Sequence, residues 1–265
     1  MRGMRTLKKY GKIWWIMSRN ALSAAIYSKL SFLIFLLGKV VRFSFFVLFL
    51  FYLVEGTGNL AGYDINQTIF IFLTFNVIDI VGQFLFREVY RFKPLILSGD
   101  FDLILVRPTS SLFRGLMGGA DFIDLFTIPI LFVVLYFVGM NFHPQVGDVL
   151  IYLLLLINGL MITAAFHIFI LGLYVRFLEL DYVLWLYRDL LNLGKLPVGV
   201  YKQPLRDILV YLVPVATMIT VPARAMMGLV SFWGVIVSIL IGTVGILVSM
   251  RFWKYALRYY TSASS

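Results

Sequence analysis

The chain contains no cysteine, which excludes disulfide scaffolding, thiolate catalysis and cysteine-based metal sites. Histidine is almost absent: His143 and His167 are the only two, and neither sits in an HExxH arrangement. There is no GxSxG elbow and no P-loop, so any dependence on ATP must come through another chain. Charge is scarce as well. Asp, Glu, Lys and Arg make up 14% of the 265 residues, against about 25% in soluble domains. A soluble enzyme and a disordered chain are both excluded on that ground.

Apolar residues fill the gap. They account for 61% of the chain, against about 45–50% in soluble domains. The composition is that of an all-α integral membrane protein, read as a single domain over residues 1–265. Its 23 basic and 13 acidic residues leave a net charge of +10. In a membrane protein that excess tracks cytoplasmic loops, and no nucleic acid is implied.

A membrane-crossing helix needs about 20 mostly apolar residues. The sequence predicts such runs at Ser31–Val54, Ile65–Phe86, Phe122–Met140, Val149–Val175, Leu178–Leu196 and Leu229–Phe252. Leu178–Leu196 is the most charged of them, with Glu179, Asp181, Arg188 and Asp189. A further apolar stretch, Leu205–Ala223, is interrupted by Pro214 and Pro222.

Loop charge sets the orientation. Arg2, Arg5, Lys8, Lys9, Lys12, Arg19 and Lys29 precede the first span, and Arg87, Arg91, Lys93, Arg107 and Arg114 lie between the second and third. Residues 56–66 and 141–148 carry no Lys or Arg. This places both termini in the cytoplasm and requires an even number of spans. Two six-span arrangements satisfy it. In one, Leu178–Leu196 crosses and Leu205–Ala223 is a bent, re-entrant outer hairpin, as the prolines favour. In the other, Leu178–Lys202 lies on the inner surface and Leu205–Ala223 crosses. Residues 1–29 read as an amphipathic interfacial helix rather than a cleavable signal, with Leu7, Tyr10, Ile13, Trp14 and Met17 at helical spacing.

Several polar residues fall inside the predicted spans: Lys39, Arg42, Asp79 and His167. Such groups are costly in hydrocarbon and need either a partner or a wet cavity. Lys39 and Arg42 share a helix face, and Asp79 is the expected partner of one of them. Either interhelical pairing or contact with a substrate or ion accounts for the set. Small residues at Gly234, Ser238 and Gly242 fit either packing within the chain or a subunit interface.

The most informative loop is residues 94–108. Ser98 and Gly99 are expected to open a short helix carrying Phe101, Leu103, Ile104 and Val106, with Ser98 and Asp100 accepting its free amides, and Arg107-Pro108 ends it. Thr109 or Ser110 then starts the next run. The loop has no domain of its own in which to bury these apolar side chains, so the helix suits docking into a partner or lying on the bilayer.

These pieces, taken in order, resemble the permease subunits of type-2 ABC exporters, in the six-span branch without a fused ATPase. The matching motifs are Gly99-Asp100-Phe101-Asp102 with Leu105 and Arg107-Pro108; the stretch with Pro197, Tyr201, Pro204, Leu205, Arg206, Pro214, Pro222, Ala223 and Gly228; and the tail with Phe252, Trp253, Arg258, Tyr259 and Ser262-Ala263. The resemblance implies that Gly99, Asp100, Phe101, Asp102, Leu105, Arg107 and Pro108 form a coupling helix that docks on ABC ATPase subunits. It implies an outer gate at Pro197, Tyr201, Pro204, Pro214 and Pro222 within a re-entrant segment at residues 204–228. ATP and magnesium would bind the partner ATPase and not this chain. A second permease subunit, identical or paralogous, would complete the pathway among membrane lipids of a prokaryotic cytoplasmic membrane. The competing classes are a stand-alone secondary transporter or channel, and a membrane enzyme acting on lipids.

Overall fold

The computed structural model describes residues 2–26, 29–120, 122–177, 179–180 and 182–261. The expected positions Leu178, Asp181 and Ser262-Ala263 lie outside the described residues. The described chain is helical, with a single isolated bridge between Leu60 and Tyr63.

Helix α1 spans Arg2–Ile26 and α2 spans Lys29–Thr57. After a tight loop, α3 covers Ile65–Phe86. A reciprocal cap starts it: the Asp64 carboxylate accepts the Gln67 amide at 2.8 Å, and the Gln67 side chain accepts the Asp64 amide at 3.1 Å. On the side opposite this loop come three short helices, α4 (Val89–Leu97), α5 (Asp100–Leu105) and α6 (Ser111–Leu116). Then α7 (Phe122–Met140) packs along α3, and a short turn leads to α8 (Val146–Arg176), followed by α9 (Val183–Asn192). The remaining elements are α10 (Leu205–Asp207), α11 (Val221–Met226) and α12 (Phe232–Arg258).

Among the described residues, four helices are long and apolar enough to cross a membrane: Leu33–Thr57, Ile65–Leu97, Val146–Arg176 and Phe232–Arg258. A fifth candidate is the pair Leu205–Leu212 and Ala216–Met226, bent by 67°. The expected span over Leu178–Leu196 departs from a regular crossing. It is an α-helix of 10 residues, about 15 Å long, followed by a 3-10 turn at Leu193–Lys195. The physical reason lies downstream: Pro197 cannot continue a helix, and it buries itself at the end of that turn.

Contacts give the course of these broken segments. Trp185 of α9 packs edge-on to Tyr90 of α4. The chain then runs to Gly199, where a β-carbon would lie 3.1 Å from that of Ala61 in the α2–α3 loop. From there it dips inward. The Met218 carbonyl closes on Gly159 of α8, where a β-carbon would lie 2.7 Å from it. Gly159 is about 20 Å along α8 from its start at Val146. Finally Met226 returns to Gly139, and Gly228 comes beside Asp148 at the α7–α8 turn. Two π-helical turns, Ile208–Leu212 and Ala216–Thr220, flank buried Pro214. Irregular backbone of this kind is tolerated at membrane depth where protein surrounds it, and Met218, Ile219 and Val215 are fully buried.

The centre of the bundle is α3 and α8, and α12 packs along α8. Buried Asn158 donates to the Ser238 carbonyl at 2.8 Å, and Ser238 and Gly242 are buried beneath α8. The small-residue stripe of the last helix therefore serves packing within the chain.

The absence of cysteine makes the course of residues 199–228 directly testable. A single Lys202→Cys substitution is expected to react with a membrane-impermeant maleimide added outside intact cells. Reaction only after the membrane is opened would place this turn inside and make the bent pair a full crossing.

Candidate functional site

At the α4–α6 end of the bundle, Gly99 adopts φ +78°, a left-handed conformation that lets α4 fold back into α5. Gly99 is the N-cap of α5, so the helix opens at Ser98 and Gly99 as expected, and the Ser98 hydroxyl accepts the Asp100 amide at 3.5 Å. The two side chains also bond to one another, the Ser98 hydroxyl donating to Asp100 at 2.7 Å. Ser110 does act as a cap, accepting the Phe113 amide at 3.3 Å at the start of α6.

The sequence reading that α5 has nothing in its own chain to bury its apolar side is corrected. Phe101 is fully buried and Ile104 nearly so. The Phe101 ring packs edge-on to Phe92 at 5.0 Å and to Tyr260 at 5.1 Å, with Trp253 at 6.5 Å. Asp102 accepts a hydrogen bond from the Tyr260 hydroxyl at 2.9 Å. Burial and the neighbouring carboxylate push the Tyr260 phenol up to about 12 from 10.0. The bond is therefore fully present below pH 10 and is lost only as pH rises through 12. Trp253 lies in the last turns of α12 and Tyr260 just beyond its end, with seven residues' spacing between these two aromatic residues. That spacing was the signal available for finding this contact.

What α5 leaves in solvent is a compact patch. Leu103 and Val106 are exposed, as are Leu105, Arg107 and Pro108. Helix α1 braces the following turn. Lys9 donates to the Pro108 carbonyl at 3.1 Å, and the Tyr10 hydroxyl accepts the Ser110 amide at 3.0 Å. The Tyr10 ring packs on Phe113 at 4.6 Å. Deeper along α1, Trp14 meets Phe84 of α3 edge-on, and the Ser18 hydroxyl accepts the Ala120 amide. An Arg114–Glu88 ion pair at 2.8 Å ties α6 to the α3–α4 junction. The coupling positions are thus brought together with α1 and α12.

Within the bundle, Lys39 pairs with Asp124 of α7, and not with Asp79. Asp79 instead lines a small cleft with Gln83, Tyr90, His167, Tyr187 and Arg188. His167 places Nδ1 2.8 Å from the Thr163 carbonyl, so that nitrogen carries the proton. Its ring lies between Phe86 and Tyr187. Arg42 is exposed on α2. Lys195, which the sequence reading did not single out, lies over the rings of Phe46 and Phe75 at 5.7 and 5.6 Å. Of the expected gate residues, Pro197, Pro214 and Pro222 are buried, Tyr201 donates to the Leu193 carbonyl at 2.7 Å, and Pro204 is exposed. They lie along the 197–226 excursion. Among the described residues, no three His, Asp or Glu side chains group as a metal set.

Residues 39–264 match the family model described as ABC-2 family transporter protein. The chain belongs to the ABC-2 transporter family. No curated protein and no solved structure matches it. The match takes in every helix from Lys39 onward, so the short helices α4–α6, the bent pair and the last span are all part of an ABC-2 permease domain. An ABC-2 domain is a multi-pass membrane transport unit, in keeping with the four to five apolar spans.

The Lys39–Asp124 pair is expected to stabilise the ABC-2 fold measurably. Lys39→Met removes the charge partner of a carboxylate whose side chain is only 2% exposed. It should lower unfolding stability by about 3 kcal/mol, and adding Asp124→Leu should recover part of the loss. Thermal unfolding in detergent reads both. A loss in the double variant equal to the sum of the losses from Lys39→Met and Asp124→Leu alone would show that the pair is not coupled.

Proposed function

We propose that this ABC-2 protein is the membrane subunit of an ATP-driven exporter, with hydrolysis on separate ABC ATPase chains that hold ATP and magnesium. The observation that carries the reading is the construction of α5. One side is locked into the chain through Phe101, Ile104 and Asp102, while Leu103, Leu105, Val106, Arg107 and Pro108 face solvent. A helix free on all sides would absorb a partner's push by moving alone. This one passes it to α12 through Tyr260 and Trp253, and to α1 through the Lys9 and Tyr10 bonds. By linkage, an ATPase shifts the permease only if it binds two arrangements of this patch unequally.

The topology we propose has six crossings, α2, α3, α7, α8, residues 183–199 and α12, with both termini cytoplasmic. Residues 204–228 form an outer re-entrant hairpin. Three contacts support it: Gly199 against Ala61, Met218 deep against Gly159, and Gly228 back beside Asp148. The loop charges put α5 and α1 on the cytoplasmic side. Two permease subunits, identical or paralogous, enclose the pathway along α2, α3 and residues 183–199, and the hairpin closes its outer end. The cargo is an amphiphile moved outward.

Arg107→Glu reverses an exposed charge and leaves the buried side of α5 intact. It is expected to preserve insertion and folding while reducing co-purification with the ATPase, and stimulated ATP hydrolysis, roughly tenfold or more. Normal coupling in this variant would sink the docking assignment.

A further inference from the structure

We infer that the face shared by α2, α3 and residues 183–199 is an anion site inside the membrane, which takes the acidic headgroup of a lipid-like amphiphile. The inference rests on the pathway reading above and names the class of its cargo. Arg42 occupies position 14 of the 29 in α2, near the middle of a helix that is almost wholly exposed along its apolar length. A guanidinium at that depth costs about 2.5–3.5 kcal/mol on insertion scales unless something of opposite charge meets it. Among the described residues, no carboxylate lies within ion-pair distance of Arg42 or Lys195.

The two cations belong to one locality. Arg42 is one helical turn from Phe46, and the Lys195 ammonium covers the Phe46 ring at 5.7 Å. Arg42, Arg188 and Asp79 all lie in electrostatic range of Lys195. Asp79 shares its cleft with Arg188, so the cations at Arg42 and Lys195 stand in excess of it. Lys39, by contrast, is answered by Asp124 and contributes no excess. Rings of Phe46 and Phe75 under the ammonium exclude water and strengthen its field toward an arriving anion. Beside these charges runs the exposed apolar wall of α2, including Val41, Phe45 and Phe49. Cations at mid-depth beside an uncovered apolar wall complement an acidic head carrying hydrocarbon chains. A free anion would use the charges and leave the wall bare.

The purified full chain, without any ATPase, is titrated in neutral detergent with phosphatidylglycerol, phosphatidylcholine and inorganic phosphate, and binding is read by native mass spectrometry. Phosphatidylglycerol is expected to bind roughly tenfold or more tighter than phosphatidylcholine. Arg42→Gln with Lys195→Gln should abolish that preference, and Arg42→Lys with Lys195→Arg should retain it. Arg251→Gln, at an exposed position near the far end of α12, should also retain it and so controls for general surface charge. A preference that survives the double glutamine variant overturns the proposal. So does inorganic phosphate binding as tightly as the lipid, which would make this a free-anion site. Because no ATPase is present, failure here leaves the docking role of α5 standing, and normal coupling in Arg107→Glu leaves this site standing.

Discussion

The close approach of α8 and α12 is the contact on which the rest of the molecule hangs. Hydrocarbon offers no driving force for helices to associate, so they must be held by fit and by hydrogen bonds. Gly242 supplies the fit: a β-carbon there would sit 2.9 Å from Cγ of Asn158. The Asn158 bond to the Ser238 carbonyl supplies the polar component. Further along, Phe252 lies across Gly172 in the same manner. With this pair fixed, α12 delivers Trp253 and Tyr260 to the α4–α6 end, and α8 delivers Gly159 to the middle, where the bent segment rests.

That arrangement explains how one chain can be rigid at its inner face and irregular toward the other. The inner short helices are bound on two sides, by α1 and by the end of α12, and almost every bond involves a side chain outside the spans. The outer excursion instead relies on burial. Its π-helical turns break the regular bonding of a crossing helix, which lipid would penalise heavily; the second, Ala216–Thr220, is shielded by α3 and α8, while the first leaves Tyr211 and Leu212 exposed. The same economy applies to charge. Lys39 meets Asp124, and Arg114 meets Glu88. Arg42 and Lys195 depart from that pattern, and they fall on the face assigned to cargo.

Much of the architecture was legible in the sequence because the bilayer imposes simple rules. Apolar run length located α3 and α7 to the residue. Pairing inside the membrane was not legible. Lys39 lies 40 residues from Asp79 and 85 from Asp124, and only helix packing decides which carboxylate reaches it. Phe101 was misread for a related reason. A local apolar pattern says that a side chain will be buried, but not whether the cover comes from another chain or from residues about 150 positions later.

The sequence by itself determined that this is a multi-pass helical membrane protein, since hydrophobic length is a local property that any fold must respect. It also carried the family, through motifs read in order. The tertiary structure alone decided which side of α5 remains free, which polar groups in the membrane are paired, and how a proline-broken segment reaches mid-depth and returns. Each of those depends on distances between residues far apart in the chain, set by the close packing of α8 against α12, and no local pattern encodes them.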